Sequence, residues 1–475
     1  MAFNDIIAHK TNTFTLFVAI PISIITAFVL VKVDFVYALT IAIGLAVLIT
    51  TFINTDYGIY ALIFSMLLSP EFGERSTQGS GMTIRIDDIL LVVILFTWLA
   101  KMALNKDLGL FKKSPLNKPI AYYTFICFFA TGAGMLFHNV KVLNGFFFLL
   151  KYIQYFLIYF LVVNHVRSKK QFDNFTISLI ITYIIVTISS IIQIPSGHRV
   201  TAPFEGDAGE PNTLGGYLIF IIAINLCLIL SPGVIEKPKY RRWLLIITVL
   251  SVIPFLLTNS RGSWVAAIPV IIAYIILSSR RWVIIGFVIF FILMAPIVLP
   301  DTVIDRVKYT FQKQQGYAAT LQENVGGVTL DTSASERVRS WRDAWDGVKK
   351  HPLFGYGITG WRFLDAQYMR VLVETGFFGF AAFFYLLHSI LNETWKVFKT
   401  AKIPFFKYFA QGFFVATIAM MTHGIGANTF IIIRIMEPFW LVCGLVISIP
   451  YIEEIEMKKL EDLKEEVTRI KLGTI

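Results

Sequence analysis

The chain has 475 residues, of which 56% are apolar and only 15% charged, and it carries a formal net charge of +11. Apolar content that high with so little charge lies outside the range of soluble globular domains and excludes an ordinary cytosolic enzyme or a disordered chain. The positive excess sits in short connectors between apolar runs, with no basic patch interleaved with aromatic residues in a polar domain, so nucleic acid is not an expected partner.

In chain order, apolar runs near 13–31, 35–54, 57–70, 86–104, 117–137, 145–166, 172–194, 212–231, 243–258, 263–279, 282–299, 366–391, 405–424 and 430–450 approach the ~20 residues that cross ~30 Å of hydrocarbon. The expected fold is an all-α polytopic membrane protein of about 12–14 transmembrane helices. The first run lacks a small-residue cleavage site and reads as a retained anchor. The division is 1–299 for the N-terminal helices, 300–365 for one large outer loop, 366–450 for the C-terminal helices and 451–475 for an amphipathic tail helix. That tail carries Ile455, Leu460, Leu463, Val467 and Ile470 on one side.

Lys and Arg crowd alternate connectors: Lys101 to Lys118, then Arg167 to Lys170, Lys237 to Arg242, Arg280 and Arg281, and Lys396 to Lys402. Cytoplasmic loops carry this bias, so both termini are expected inside, with 71–85, 195–211, 259–262 and 300–365 outside. Cys127, Cys227 and Cys443 fall within apolar runs as small buried hydrophobes. The seven histidines show no metal-ligand spacing and no phosphate-cradling Gly-rich loop of the Walker type is present, so no metal or cofactor is expected.

The long loop is the one extended polar segment between apolar spans. Within it Ser333-Ala334-Ser335-Glu336 has the pattern of a capping box, and Val338, Trp341, Trp345 and Val348 follow at helical spacing until His351-Pro352. The polar side of this amphipathic helix presents Arg337, Arg339 and Arg342, and the Gly-rich stretch Phe354–Gly360 follows. Arg261 stands in a second polar knot, Thr258-Asn259-Ser260-Arg261-Gly262-Ser263-Trp264, between two apolar runs. Arginines beside a membrane commonly snorkel to headgroups. Guanidinium groups from separate elements converging on one pocket instead suit a diphosphate, because each planar fork holds two phosphate oxygens.

Ser260-Arg261-Gly262-Ser263-Trp264, Ser335-Glu336-Arg337 with Trp341, Pro352–Gly357, Gln367-Tyr368-Met369 and Leu372–Gly379, in this order, together resemble the O-antigen ligase and polymerase superfamily over roughly 200–380. The segments Arg199–Glu205 and Glu210–Tyr217 are similar to that family's earlier outer loop. The resemblance implies a glycosyltransferase at the outer face of a bacterial inner membrane. Such enzymes move a glycan from an undecaprenyl diphosphate donor to an acceptor hydroxyl with inversion and without a metal, in the company of membrane lipids and of flippase and chain-length-regulator proteins.

Arg261, Arg337 and Arg434 are the expected diphosphate ligands, with Asn212, Arg339, Trp341, Tyr368 and Glu374 supporting them or lining an acceptor groove. Ligases of the family carry a His-Asn pair where this chain has Asp365-Ala366. Asp365 is therefore expected either as the general base or as the N-cap of the following helix, and the missing histidine favours a polymerase or another polysaccharide-joining member. Several of these residues also have plain structural readings. Asn212 suits a helix cap, Arg370 with Glu374 and Arg434 with Glu437 suit buried pairs, and His423 suits a hydrogen-bonded packing residue. The rival reading is a lipid-linked oligosaccharide flippase, which leaves the capped outer helix unexplained and would show repeated halves that this chain lacks.

Overall fold

The computed structural model describes residues 35–72, 84–104, 113–205, 209–230, 238–278, 281–310, 312, 322–325 and 328–473. The helices are α1 (Phe35–Ile53), α2 (Thr55–Leu68), α3 (Ile86–Leu104), α4 (Asn117–Leu136), α5 (Val142–His165), α6 (Lys169–Gln193), α7 (Pro211–Leu230) and α8 (Pro238–Leu257). They continue with α9 (Arg261–Leu277), α10 (Arg281–Val298), α11 (Asp301–Tyr309), α12 (Thr332–Lys350), α13 (Gln367–Thr400), α14 (Pro404–His423) and α15 (Ile433–Gly473). The described strands are two-residue antiparallel pairs, Glu71–Phe72 with Ile84–Arg85 and Asn324–Val325 with Val328–Thr329.

The chain is an all-α polytopic membrane protein. Among the described residues, seven helices are long and apolar enough to cross a membrane, eight if α10 and α11 form one bent span, and three shorter apolar helices accompany them. That is fewer than the apolar runs implied. The run at 13–31 lies outside the described residues, and α9 has 17 residues. The helix α3 spends part of its length on Asp87, Asp88 and Lys101. The expected tail helix is not separate, since α15 runs from the last apolar span through Gly473.

Contacts divide the chain into two units, one comprising Met1–Leu62 and Ile89–Leu108, the other Ile63–Asp88 and Gly109–Ile475. In the first, Lys101 Nζ donates to the carbonyls of Thr51 and Ile53 at 3.4 and 3.3 Å, satisfying the open end of α1. In the second, α14 is the central post, packed against α7, α9 and α13. Phe406, Phe409, Phe413 and Met420 are fully buried on it, so α14 is held by protein rather than by lipid.

The polar segment before α13 has its own small core of Ala344, Val348, Leu364, Leu372 and Val373, with Trp341, Tyr356 and Trp361 packed against it. The stripe on α12 is rotated from the expected one. Trp345 is exposed, while Ala344, Gly347 and Val348 are buried, because the Trp361 ring lies directly on Gly347, where a Cβ would meet it at 2.7 Å.

The apolar run of α13 conceals a break. Gly376 sits at φ 66°, ψ −169°, a region open essentially to glycine alone. The interruption frees the N–H groups of Phe377 and Phe378, which donate to Pro352 O and Leu353 O at 2.8 and 3.3 Å. From the other side, Tyr356 N and Gly357 N donate to Val373 O and Glu374 O. The Gly-rich turn is thus stitched into the break, and the motif Leu372–Gly379 is the socket for the motif Pro352–Gly357.

Candidate functional site: an arginine cluster at the polar end of the bundle

The knot between α8 and α9 is a tight reversal. Asn259 adopts φ 50°, and the Ser260 side chain caps α9 by accepting from Ser263 N. This makes Arg261 the first residue of the helix. Arg199, from the segment after α6, closes the reversal by donating from Nε to Thr258 O at 2.9 Å and from Nη2 to Asn259 O at 3.1 Å.

Arg261 Nη1 donates to Asp331 Oδ2 at 2.7 Å and to Thr310 Oγ1 at 3.0 Å. Asp331 is fully buried, and its other oxygen accepts from Ala334 N at 2.9 Å. The α12 cap is therefore Asp331, not the Ser333 box. Ser335 Oγ is committed elsewhere, accepting from Glu323 N at 2.7 Å and donating to Leu330 O at 3.2 Å. One carboxylate starts α12 and anchors Arg261 on α9.

Two further guanidinium groups complete the cluster. Arg306 on α11 lies in the field of Arg261, Arg337 and Asp331. Arg337 on α12 pairs with Asp365 at 3.2 Å, both about a third exposed or less. Asp365 does not cap α13. That helix starts at Gln367 with Ala366 at the cap position and no side-chain cap bond, since the Asp365 carboxylate is turned to Arg337. The Arg199 guanidinium, though partly exposed, is pushed below its ordinary range by desolvation and then by Arg306 and Arg261, with Glu210 opposing. Arg261 Nη2 and Arg306 Nε are buried without a hydrogen-bond partner among the described residues. Four cations from four elements with three nearby carboxylates, Asp331, Asp365 and Glu210, make a net positive field with donors left over.

Behind Arg261 runs a buried polar chain. Ser260 Oγ donates to Asn212 Oδ1 at 2.7 Å and lies 2.8 Å from Ser263 Oγ. Ser263 Oγ is 3.1 Å from His423 Nε2, and His423 Nδ1 is 2.7 Å from Thr429 Oγ1. Asn212 thus supports the α9 turn from within the first turn of α7, instead of capping α7.

The remaining candidates separate from the cluster. Arg434 is buried at 2% exposure, donates to Leu67 O, Pro203 O and Ser69 O and lies 3.4 Å from Glu205. The expected Arg434–Glu437 pair does not form: Glu437 instead accepts from Gln154 Nε2 at 2.7 Å. Arg339 and Arg342 both face Glu323, at 3.7 and 2.9 Å. Trp341 belongs to the small core, and the Tyr368 hydroxyl donates to Met421 O while its ring stacks on Phe384. Glu374 pairs with Arg370 at 3.2 Å and accepts from Thr359 N at 3.1 Å, tying the Gly-rich turn to α13.

Asp87, Asp88 and Glu437 bring three carboxylates within 4.8 Å of one another. Arg85 holds Asp87 and Lys151 holds Asp88, so two of the three charges are already paired.

Sequence reading missed Arg306 and Asp331 and took Arg199 only as part of a motif. Arg306 has a legible signal, the amphipathic stretch Asp301–Tyr309, whereas the role of Asp331 depends on a contact 70 residues away.

No curated protein matches the chain. Residues 246–384 match the family model described as O-Antigen ligase, and this stretch, similar to that family, contains Arg261, Arg306, Asp331, Arg337, Asp365 and the Gly376 break.

Proposed function

We propose that this membrane protein is an inverting glycosyltransferase that moves a glycan from an undecaprenyl diphosphate donor to an acceptor hydroxyl, as a surface-polysaccharide polymerase or ligase. The observation that carries the reading is the convergence of Arg199, Arg261, Arg306 and Arg337 with unpartnered donors on two of them. A diphosphate is the ligand class that a field of planar, permanently charged forks suits best.

In this reading the acceptor oxygen attacks the anomeric carbon from the face opposite the diphosphate. The bond to the diphosphate breaks and its electrons pass to the leaving oxygen, where the arginines stabilise the developing charge. The acceptor's proton goes to Asp365, whose carboxylate is about a third exposed and oriented by Arg337 through one oxygen, leaving the other for the hydroxyl. The Lys and Arg bias of the connectors supports a reading in which this end of the bundle lies at the outer face of the cytoplasmic membrane, with both termini inside.

The test is transfer from a purified undecaprenyl diphosphate glycan to a hydroxyl acceptor in liposomes, with EDTA present. Turnover in the wild type is expected, with losses of about 10²–10³ in Arg261→Ala and Arg337→Ala, the scale of removing one preorganised donor to a developing anion. Movement of the intact lipid-linked glycan across the bilayer without transfer would replace this reading with a flippase.

A further inference from the structure

The reading of the arginine cluster leaves His423 unused. Its imidazole is fully buried at the end of α14, between Gly216 of α7 and Gly262 of α9, where a Cβ on Gly216 would meet the ring at 3.0 Å. Both nitrogens are engaged, Nε2 with Ser263 Oγ and Nδ1 with Thr429 Oγ1. Neither touches the cluster.

The hydrogen-bond directions in the chain are constrained. Asn212 Oδ1 only accepts, so Ser260 spends its hydroxyl proton there, and its oxygen is left to receive Ser263 N at 3.3 Å and the Ser263 hydroxyl at 2.8 Å. With Ser263 donating to Ser260, Ser263 Oγ needs a donor, which His423 Nε2–H supplies, and Nδ1 then accepts from Thr429. The imidazole is the second member of a file of aligned hydrogen bonds running from Thr429 through His423, Ser263 and Ser260 to Asn212. Arg261 stands within the turn this file fastens, one residue after Ser260 and two before Ser263.

We infer that His423 is a positioning residue for Arg261, acting through Ser263 and the Ser260 cap to fix the first turn of α9 and so aim the guanidinium at the donor. The inference rests on the proposed diphosphate reading of the cluster. An arginine fork binds two oxygens only from one orientation, and a rotation of the α9 turn misplaces it without removing its charge. The other anchor of Arg261, Asp331, is the N-cap of α12. The file ties α9 to α7 and α14, and between them the two anchors set the side chain from the membrane bundle and from the polar segment.

The experiment measures inorganic pyrophosphate binding and donor KM and kcat for the full-length protein in detergent, in Ser263→Ala, His423→Gln, His423→Asn, Thr429→Val and Arg261→Ala. Glutamine extends its amide toward the place of Nε2, and asparagine toward that of Nδ1. The inference expects about tenfold weaker pyrophosphate binding and a similarly raised KM in Ser263→Ala and His423→Asn, with kcat changed less, the scale of leaving one buried partner unmade. His423→Gln is expected to restore binding to near the wild-type value, and Thr429→Val to leave it nearly intact. Equal losses in both His423 variants together with lowered melting temperatures would overturn the positioning role in favour of packing. Wild-type binding in Ser263→Ala would overturn it outright. If Arg261→Ala itself binds pyrophosphate normally, the diphosphate reading fails. If Arg261→Ala loses binding while Ser263→Ala and His423→Asn keep it, only the present inference fails.

Discussion

Asp331 joins the polar segment to α9, and replacing it should reveal how strongly the two are coupled. Asp331→Ala removes an N-cap, worth about 1 kcal/mol, and the carboxylate that faces Arg261 at 2.7 Å. The Arg261 side chain is 18% exposed and Asp331 is fully buried, so the pair sits near the buried limit, where losing one partner costs about 3–5 kcal/mol. Residual exposure and the second contact to Thr310 lower the ion-pair share to about 2–3 kcal/mol. A double-mutant cycle of Asp331→Ala and Arg261→Ala, followed by reversible chemical unfolding in detergent, isolates that share from the cap. The expected coupling is about 2 kcal/mol, with Asp331→Asn recovering part of the cap but not the coupling. Additivity within about 0.5 kcal/mol would refute the argument and leave Asp331 a cap alone.

Gly376→Ala would set a Cβ 2.3 Å from the Leu353 backbone at positive φ, and should destabilise by about 3 kcal/mol or more, read as faster proteolysis after the Gly-rich turn. Arg434→Ala should lower the melting temperature while leaving pyrophosphate affinity within about twofold, because its guanidinium serves the carbonyls of Leu67, Ser69 and Pro203; a tenfold loss of affinity in a normally folded variant would return it to the donor site. Asp365→Asn should abolish transfer yet keep donor binding, and retained turnover would remove it as the base. Pyrophosphate at about 100 times its Kd should raise stability by about 2.7 kcal/mol, an increment that shrinks in Arg199→Gln and Arg306→Gln; no shift in the wild type would count against an anion site.

Much of the fold is legible because lipid imposes one rule on every span. The runs that became α4 to α8 and α13 needed only length and apolarity to be seen. The polar knot at Arg261 was visible for the same reason, as charge where charge is costly. What could not be read was partner choice. Arg434 and Glu437 stand one helical turn apart, yet Arg434 pairs with Glu205 and Glu437 bonds Gln154, contacts set by tertiary packing. Asp331 took the cap from Ser333 because a carboxylate that also faces Arg261 satisfies two elements at once. The break at Gly376 lay hidden in a run read as one span, and the positive φ together with the backbone of Leu353 pressed against it explains the glycine.

That break also bears on bilayer thickness. As one straight rod, the 34 residues of α13 would extend about 51 Å, far beyond ~30 Å of hydrocarbon. Divided at Gly376, the limb Phe377–Thr400 measures about 36 Å and matches the membrane with a modest tilt, while Gln367–Thr375 is free to follow the polar segment. Hydrophobic mismatch in a thinner or thicker membrane is then absorbed by tilt of the long limb, and the length of α13 that holds Glu374 and the Gly-rich turn need not enter lipid at all.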